Sequence, residues 1–126
     1  MSRILIIEDN EKNRKLFTLV LGAAGHESLL AANGEAGLMA AKELQPDLIL
    51  MDIQMPVMDG ISAFKALQAD EKTRAIPVIA VTSYAMKGDL ERFIAMGFSG
   101  YMAKPIDVNA FTKMVGETLK AAHHGG

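Results

Sequence analysis

The sequence predicts an α/β domain of the doubly wound kind, a five-stranded parallel sheet with helices against both faces. Three observations predict it. Short apolar runs alternate with amphipathic helical patterns along the whole chain, in five βα units. Three of the runs are continuous rather than alternating in polarity, as in strands covered on both faces. No linker, repeat or low-complexity tract interrupts the 126 residues, so one core is expected.

The strand candidates are residues 4–7, 27–31, 48–51, 78–81 and 100–103. After the first, Leu16, Phe17, Val20, Leu21 and Ala24 fall at helical spacing, and Gly25 stands where a C′ glycine belongs. Residues 34–44 are the weakest helix candidate, because Gly34 and Gly37 lower helix propensity. Ile61, Phe64 and Leu67 make the next apolar stripe. Leu90, Phe93 and Ile94 make the fourth, which Gly97 closes. Val108, Phe111, Val115 and Leu119 make the last, with Asp107 as its N-cap. Residues 1–122 are expected to form the domain and residues 123–126 a disordered tail. Right-handed crossovers and this length favour the flavodoxin-like strand order 2-1-3-4-5, with five helices.

Composition removes several functions. With 13 basic against 15 acidic side chains, the net charge of −2 speaks against nucleic acid or a polybasic membrane surface as partner. The absence of cysteine excludes disulfides and thiolate metal sites. The apolar run Ile4-Leu5-Ile6-Ile7 is too short for a signal peptide or a membrane span, so a cytoplasmic location is expected. Among the methionines, Met51, Met96, Met102 and Met114 fall on strands and helices as packing residues. Met55, Met58 and Met86 fall in loops near the cleft, within a partner's reach. His123 and His124 are adjacent and cannot face one ligand from one side of a helix.

In doubly wound sheets ligands bind outside the carboxyl ends of the strands. The first strand runs into Glu8-Asp9, the third into Asp52, the fourth into Thr82 and the fifth into Lys104-Pro105. Taken singly, each has an ordinary role: acids at a helix start, a turn former before Gly60, a β-branched strand end, a surface lysine. Together they bring three carboxylates, a hydroxyl and an ammonium to one edge, and the second strand contributes none. Clustered carboxylates repel unless a cation holds them. Oxygen ligands without His or Cys suit a hard ion, and Mg²⁺ fits best.

These residues carry a resemblance. Ile4-Leu5-Ile6-Ile7-Glu8-Asp9-Asn10 resembles the opening of response-regulator receiver domains. Asp47-Leu48-Ile49-Leu50-Met51-Asp52-Ile53-Gln54-Met55-Pro56-Val57-Met58-Asp59-Gly60 is similar to their phosphoacceptor segment. Ile76-Pro77-Val78-Ile79-Ala80-Val81-Thr82 and Gly100-Tyr101-Met102-Ala103-Lys104-Pro105 resemble their remaining signatures. The resemblance covers nearly the whole chain, and within the family it points to single-domain receivers of the DivK type and to those of hybrid histidine kinases. It implies a two-component or phosphorelay switch, phosphorylated by a sensor histidine kinase or a histidine phosphotransfer protein and read by a downstream protein. It implies that Asp52 is the phosphoacceptor, that Lys104 and Thr82 contact the phosphoryl group, and that Tyr101 is a switch aromatic. It implies Mg²⁺ on Asp9, Asp52 and the backbone carbonyl of Gln54, with Glu8 acting through water. It implies a cis Lys104–Pro105 bond. Such a domain catalyses only its own phosphorylation and dephosphorylation.

Departures are few. Glu8 stands where many receivers carry Asp, and Gln54 and Tyr84 occupy positions that in this family influence phosphoryl lifetime. Asp89, Glu91, Arg92 and Lys113 are expected to give the helices around Tyr101 a mixed-charge rim for docking. Three rivals are weaker. Flavodoxin-like electron transfer needs a phosphate cradle where this chain has Glu8-Asp9-Asn10-Glu11. A phosphatase of the haloacid-dehalogenase kind needs an acid where Gln54 stands, and a cap domain. A pseudo-receiver would not keep Asp9, Asp52, Thr82 and Lys104 together. After the fifth helix only a few residues remain, so output is expected to belong to another protein.

Overall fold

The computed structural model describes the backbone of residues 2–55 and 58–125, with side chains as far as residue 122. Pro56 and Val57 of the longest motif, and the side chains of His123 and His124, lie outside the described residues. Five βα units follow in order: β1 (Arg3–Ile7), α1 (Glu11–Ala23), β2 (Glu27–Ala31), α2 (Gly34–Leu44), β3 (Leu48–Asp52), α3 (Gly60–Ala69), β4 (Val78–Thr82), α4 (Asp89–Met96), β5 (Gly100–Ala103) and α5 (Val108–Gly125). All pairings are parallel, and the sheet order is β2-β1-β3-β4-β5. The predicted order and every strand are present, three of the strands one residue longer than expected.

Alternation along the strands divides the core in two. Leu5, Ile7, Ile49, Met51, Val78 and Ala80 face one way, against Ala41, Phe64, Leu67 and Phe93. Ile4, Ile6, Leu48, Leu50, Ile79 and Val81 face the other, against Phe17, Leu21, Phe111, Val115 and Leu119. The continuous apolar runs are thus explained, since every residue of β3 and β4 is covered.

The helix ends obey local chemistry. Asn10, Asn33, Asp59 and Asp107 each accept an N–H from the first turn of the following helix. Gly25, at φ 88°, closes α1 in a Schellman motif: His26 N–H donates to Leu21 O and Gly25 N–H to Gly22 O. Gly97, at φ 115°, does the same for α4, and the apolar contact of the motif is Phe98 against Phe93. The helix α2 forms with Gly34 and Gly37 in it. Both are buried, and a Cβ on Gly37 would run into the Ile7 side chain, so the small residue lets α2 lie close on β1.

Some stripe residues are not core. Phe93 is buried, but Leu90 and Ile94 of the same stripe are 53% and 46% exposed. Leu16, Ala24 and Val108 are exposed as well. Each short helix touches the sheet along one narrow line, so its flanking apolar residues face solvent.

Candidate functional site

The carboxyl ends of β1, β3, β4 and β5 bring together every predicted site residue except Tyr101. Glu8 follows β1 and is buried; its Oε2 accepts the Asn10 N–H at 3.2 Å, which turns the chain so that Asp9 points to solvent. Asp52 ends β3 at 4% exposure, and its Oδ1 accepts the Gln54 N–H at 3.1 Å. Carboxylate oxygens of Glu8, Asp9 and Asp52 lie within 4.8 Å of one another. Thr82 ends β4, buried, with its hydroxyl accepting the Tyr84 N–H at 3.1 Å. Lys104 follows β5, its N–H donating to Thr82 O at 2.8 Å, and the Lys104–Pro105 bond is cis as expected.

The lysine is closer to Glu8 than to Asp52. Its Nζ lies 2.6 Å from Glu8 Oε1 and 3.7 Å from Asp52 Oδ2. Glu8 thus holds the ammonium, which stays too far from Asp52 to neutralise it fully. The result is an acid pushed up to about 8, first by burial and then by its hydrogen bond with, and repulsion from, Glu8; Lys104 and the Gln54 N–H pull the other way and do not win. A second cation is what such a cluster lacks. The donor set fits a hard divalent ion: three carboxylates converge, and the exposed Asp9 leaves room for the waters that Mg²⁺ retains.

The loops carry further contacts. Gly60 lies under the carboxyl end of β3, where an added Cβ would come 2.5 Å from Asp52 O and 2.7 Å from Ile53 Cα. Gln54 reaches across the cleft, its Oε1 accepting the Ser83 N–H at 3.2 Å. Met55 is buried, not open to a partner, and the half-buried Met58 lies against Gly34, whereas Met86 is exposed.

Tyr101 sits one strand from the cleft, paired in register with Ala80. Its ring stacks on Phe93 with centroids 5.3 Å apart, and its hydroxyl donates to Asp89 Oδ2 at 3.4 Å. Two residues here escaped the sequence reading. Arg14 donates from Nη1 to Glu8 O at 2.8 Å and so ties α1 to the acid loop, but an arginine on an amphipathic helix reads as solvated. Asp89 was expected on a charged rim, yet it is buried; an acid in a helix's first turn gives no sign of being covered.

Comparison with known proteins agrees with this geometry. A family model described as the response regulator receiver domain matches residues 4–116. The polar-differentiation response regulator DivK of Brucella anthropi is 48% identical over 118 residues, covering 94% of this chain and 93% of that one. The receiver domain of a sensor histidine kinase from Pseudomonas aeruginosa, solved with a magnesium ion coordinated in its active-site cleft, is similar at 33% identity and TM-score 0.85, over 94% of this chain and 98% of that one. Vibrio cholerae CheY4 superposes at TM-score 0.85 and 26% identity, over 94% and 98% of the two chains. No helix among the described residues is long and apolar enough to cross a membrane. The chain belongs to the response-regulator receiver domains, the CheY-like signalling modules of two-component systems.

Proposed function

We propose that Asp52 is the phosphoacceptor of this receiver, and that the described cleft is the place of transfer. The observation that carries it is the Asp52 carboxylate itself: buried at the end of a central strand, facing Lys104 Nζ at 3.7 Å and within 4.8 Å of the exposed Asp9 carboxylate. An Asp52 oxygen attacks phosphorus, and the bond from phosphorus to the donor's imidazole nitrogen breaks with the electron pair passing to that nitrogen. The donor is a histidine kinase or a histidine phosphotransfer protein. Lys104 is within reach of the phosphoryl oxygens once it leaves Glu8, and Thr82 donates its hydroxyl to one of them. Asp9, Asp52 and the Gln54 carbonyl would hold Mg²⁺, with Glu8 contributing through water. When bound, the ion offsets the charge of nucleophile and phosphate. Phosphoryl transfer asks mainly for positioning and electrostatics, which a small domain supplies. Beyond its own phosphorylation and dephosphorylation the chain catalyses nothing.

The output is a change of surface read by a downstream protein in the cytoplasm, with residues 1–122 as the switching unit; neither nucleic acid nor membrane is a partner. Thr82 and Tyr101 are the switch pair. A groove of about 680 Å³ lies beside Tyr101, lined by Leu90, Ile94 and Tyr101 from one side and Met114 and Thr118 from the other. Its exposed apolar residues and the charges of Glu91, Arg92 and Lys113 suit transient docking. The test is mass measurement after mixing with acetyl phosphate and Mg²⁺. One added phosphoryl group, lost in Asp52→Asn, is expected; undiminished labelling of that variant would place the acceptor elsewhere.

A further inference from the structure

Asp89 is a buried carboxylate that the phosphoryl chemistry does not use, and it holds three separate parts of the molecule. Its Oδ2 accepts the Met86 N–H at 2.8 Å and the Tyr101 hydroxyl at 3.4 Å. Its Oδ1 meets Arg92 Nη2 at 3.1 Å. The Arg92 guanidinium lies 4.9 Å over the Phe93 ring, and Phe93 stacks on Tyr101, which closes a ring of contacts. Burial and then the nearby Asp89 charge push the Tyr101 phenol up, as expected of a hydroxyl that shares a covered site with a carboxylate.

The β4–α4 connection is otherwise loosely held. Residues 83–88 are all exposed, and side chains secure the loop at three points: Gln54 holds the Ser83 N–H, Thr82 the Tyr84 N–H and Asp89 the Met86 N–H. The Thr82 hydroxyl and the Asp89 carboxylate therefore grip the same short loop from its two ends. Gly88 caps α4 without a side chain, so Asp89 is also what fixes the start of that helix.

We propose that Asp89 is the positioning residue that couples the phosphorylation site to Tyr101, its carboxylate holding the β4–α4 loop and the tyrosine hydroxyl together in the unphosphorylated state. The inference rests on the reading of Asp52 and Thr82 above. When the Thr82 hydroxyl turns to a phosphoryl oxygen it releases the Tyr84 N–H, and the loop slackens. The Met86 contact then loosens and Tyr101 leaves Asp89. Phosphorylation thus works against the Asp89 contacts, and by reciprocity weakening them makes the phosphorylated state easier to reach.

The experiment uses beryllofluoride with Mg²⁺ as the phosphoryl mimic, read by backbone and tyrosine-ring NMR. Wild-type protein must first bind it; failure there removes the proposed function, not this inference alone. In Asp89→Ala, acetyl phosphate labelling of Asp52 should persist. Without beryllofluoride, signals of residues 84–88 and of Tyr101 should lie part of the way toward their bound positions, and beryllofluoride should bind about three- to tenfold more tightly, the weight of one or two hydrogen bonds. Asp89→Asn keeps an acceptor oxygen for the Met86 N–H and should fall between; it serves alone if Asp89→Ala does not fold. In a Tyr101→Phe background the Asp89 substitution should add much less to affinity. Unshifted resting signals at residues 84–88 and Tyr101 would overturn the proposal. So would an affinity gain of the same size with and without the tyrosine hydroxyl, which would leave Asp89 as a loop cap only.

Discussion

Replacing the Asp52 carboxylate by an amide separates two properties that the wild-type residue combines. In the proposed function Asp52 is the nucleophile, and it is electrostatically unfavourable as a buried anion beside Glu8. Asp52→Asn is therefore expected to lose all labelling yet to be more stable than wild type in metal-free buffer near pH 8, by on the order of 1–2 kcal/mol. Thermal unfolding of both proteins in chelator checks this, and a less stable variant would show that the cluster is not repulsive. Lys104→Ala should behave in the opposite sense. It leaves Glu8, which the ammonium meets at 2.6 Å, buried without its partner, and a loss of about 3–5 kcal/mol is expected. The identities of these residues were legible in the sequence, because strand ends converge in this fold whatever the side chains do. The preference of Lys104 for Glu8 over Asp52 was not, since it depends on a difference of about an ångström between residues 96 positions apart.

At the scale of the element, α4 and the β3–α3 connection show where periodicity stops being informative. The α4 stripe of Leu90, Phe93 and Ile94 reads as uniformly apolar, but only Phe93 is covered. Phe93→Ala should cost about 3–5 kcal/mol, whereas Leu90→Gln and Ile94→Gln should stay within about 0.5 kcal/mol. If the groove beside them is the output face, the same two substitutions should weaken capture of a downstream protein by the phosphorylated form. Urea denaturation of the three variants tests the first statement, and equal losses would mean that the helix is buried more broadly. Gly60 is the reverse case, a residue to which periodicity assigns no packing role and which proves to be a contact. Because its missing Cβ would strike Asp52 O and Ile53 Cα, backbone atoms with no freedom to yield, Gly60→Ala should destabilise by about 1–3 kcal/mol and also slow labelling of Asp52. A variant that folds and labels like wild type would show that the connection can shift at no cost.

For the whole molecule, the acid cluster links stability to pH and to metal. The folded-state pKa of Asp52 is raised above that of the unfolded chain, so the folded protein keeps a proton that the unfolded chain releases. Its contribution to stability is fully present below about pH 4 and is lost as pH rises toward about 8, by at most about 1.4 kcal/mol per pH unit. Asp70, whose pKa is lowered by the Lys72 N–H and by Lys42, acts in the opposite sense: its contribution is present at neutral pH and fades on acidification. Comparing wild type with Asp52→Asn across pH 5–8 cancels Asp70 and isolates the cluster, and Mg²⁺ should flatten the wild-type slope; parallel curves with and without the ion would exclude a metal on these carboxylates. The sequence by itself determined the number and order of the strands, one cap each of α1, α4 and α5, and the set of residues that meet at the sheet edge. These follow from local periodicity, turn chemistry and the handedness of crossovers, all of which act within a few residues or through rules common to every parallel sheet. Tertiary structure alone decided which apolar stripe residues are covered, that Met55 and Asp89 are buried, that Gly37 lets α2 close on Ile7, and which acid holds the lysine. Burial and ion pairing depend on what a neighbouring element places against a side chain, and that neighbour is remote in sequence.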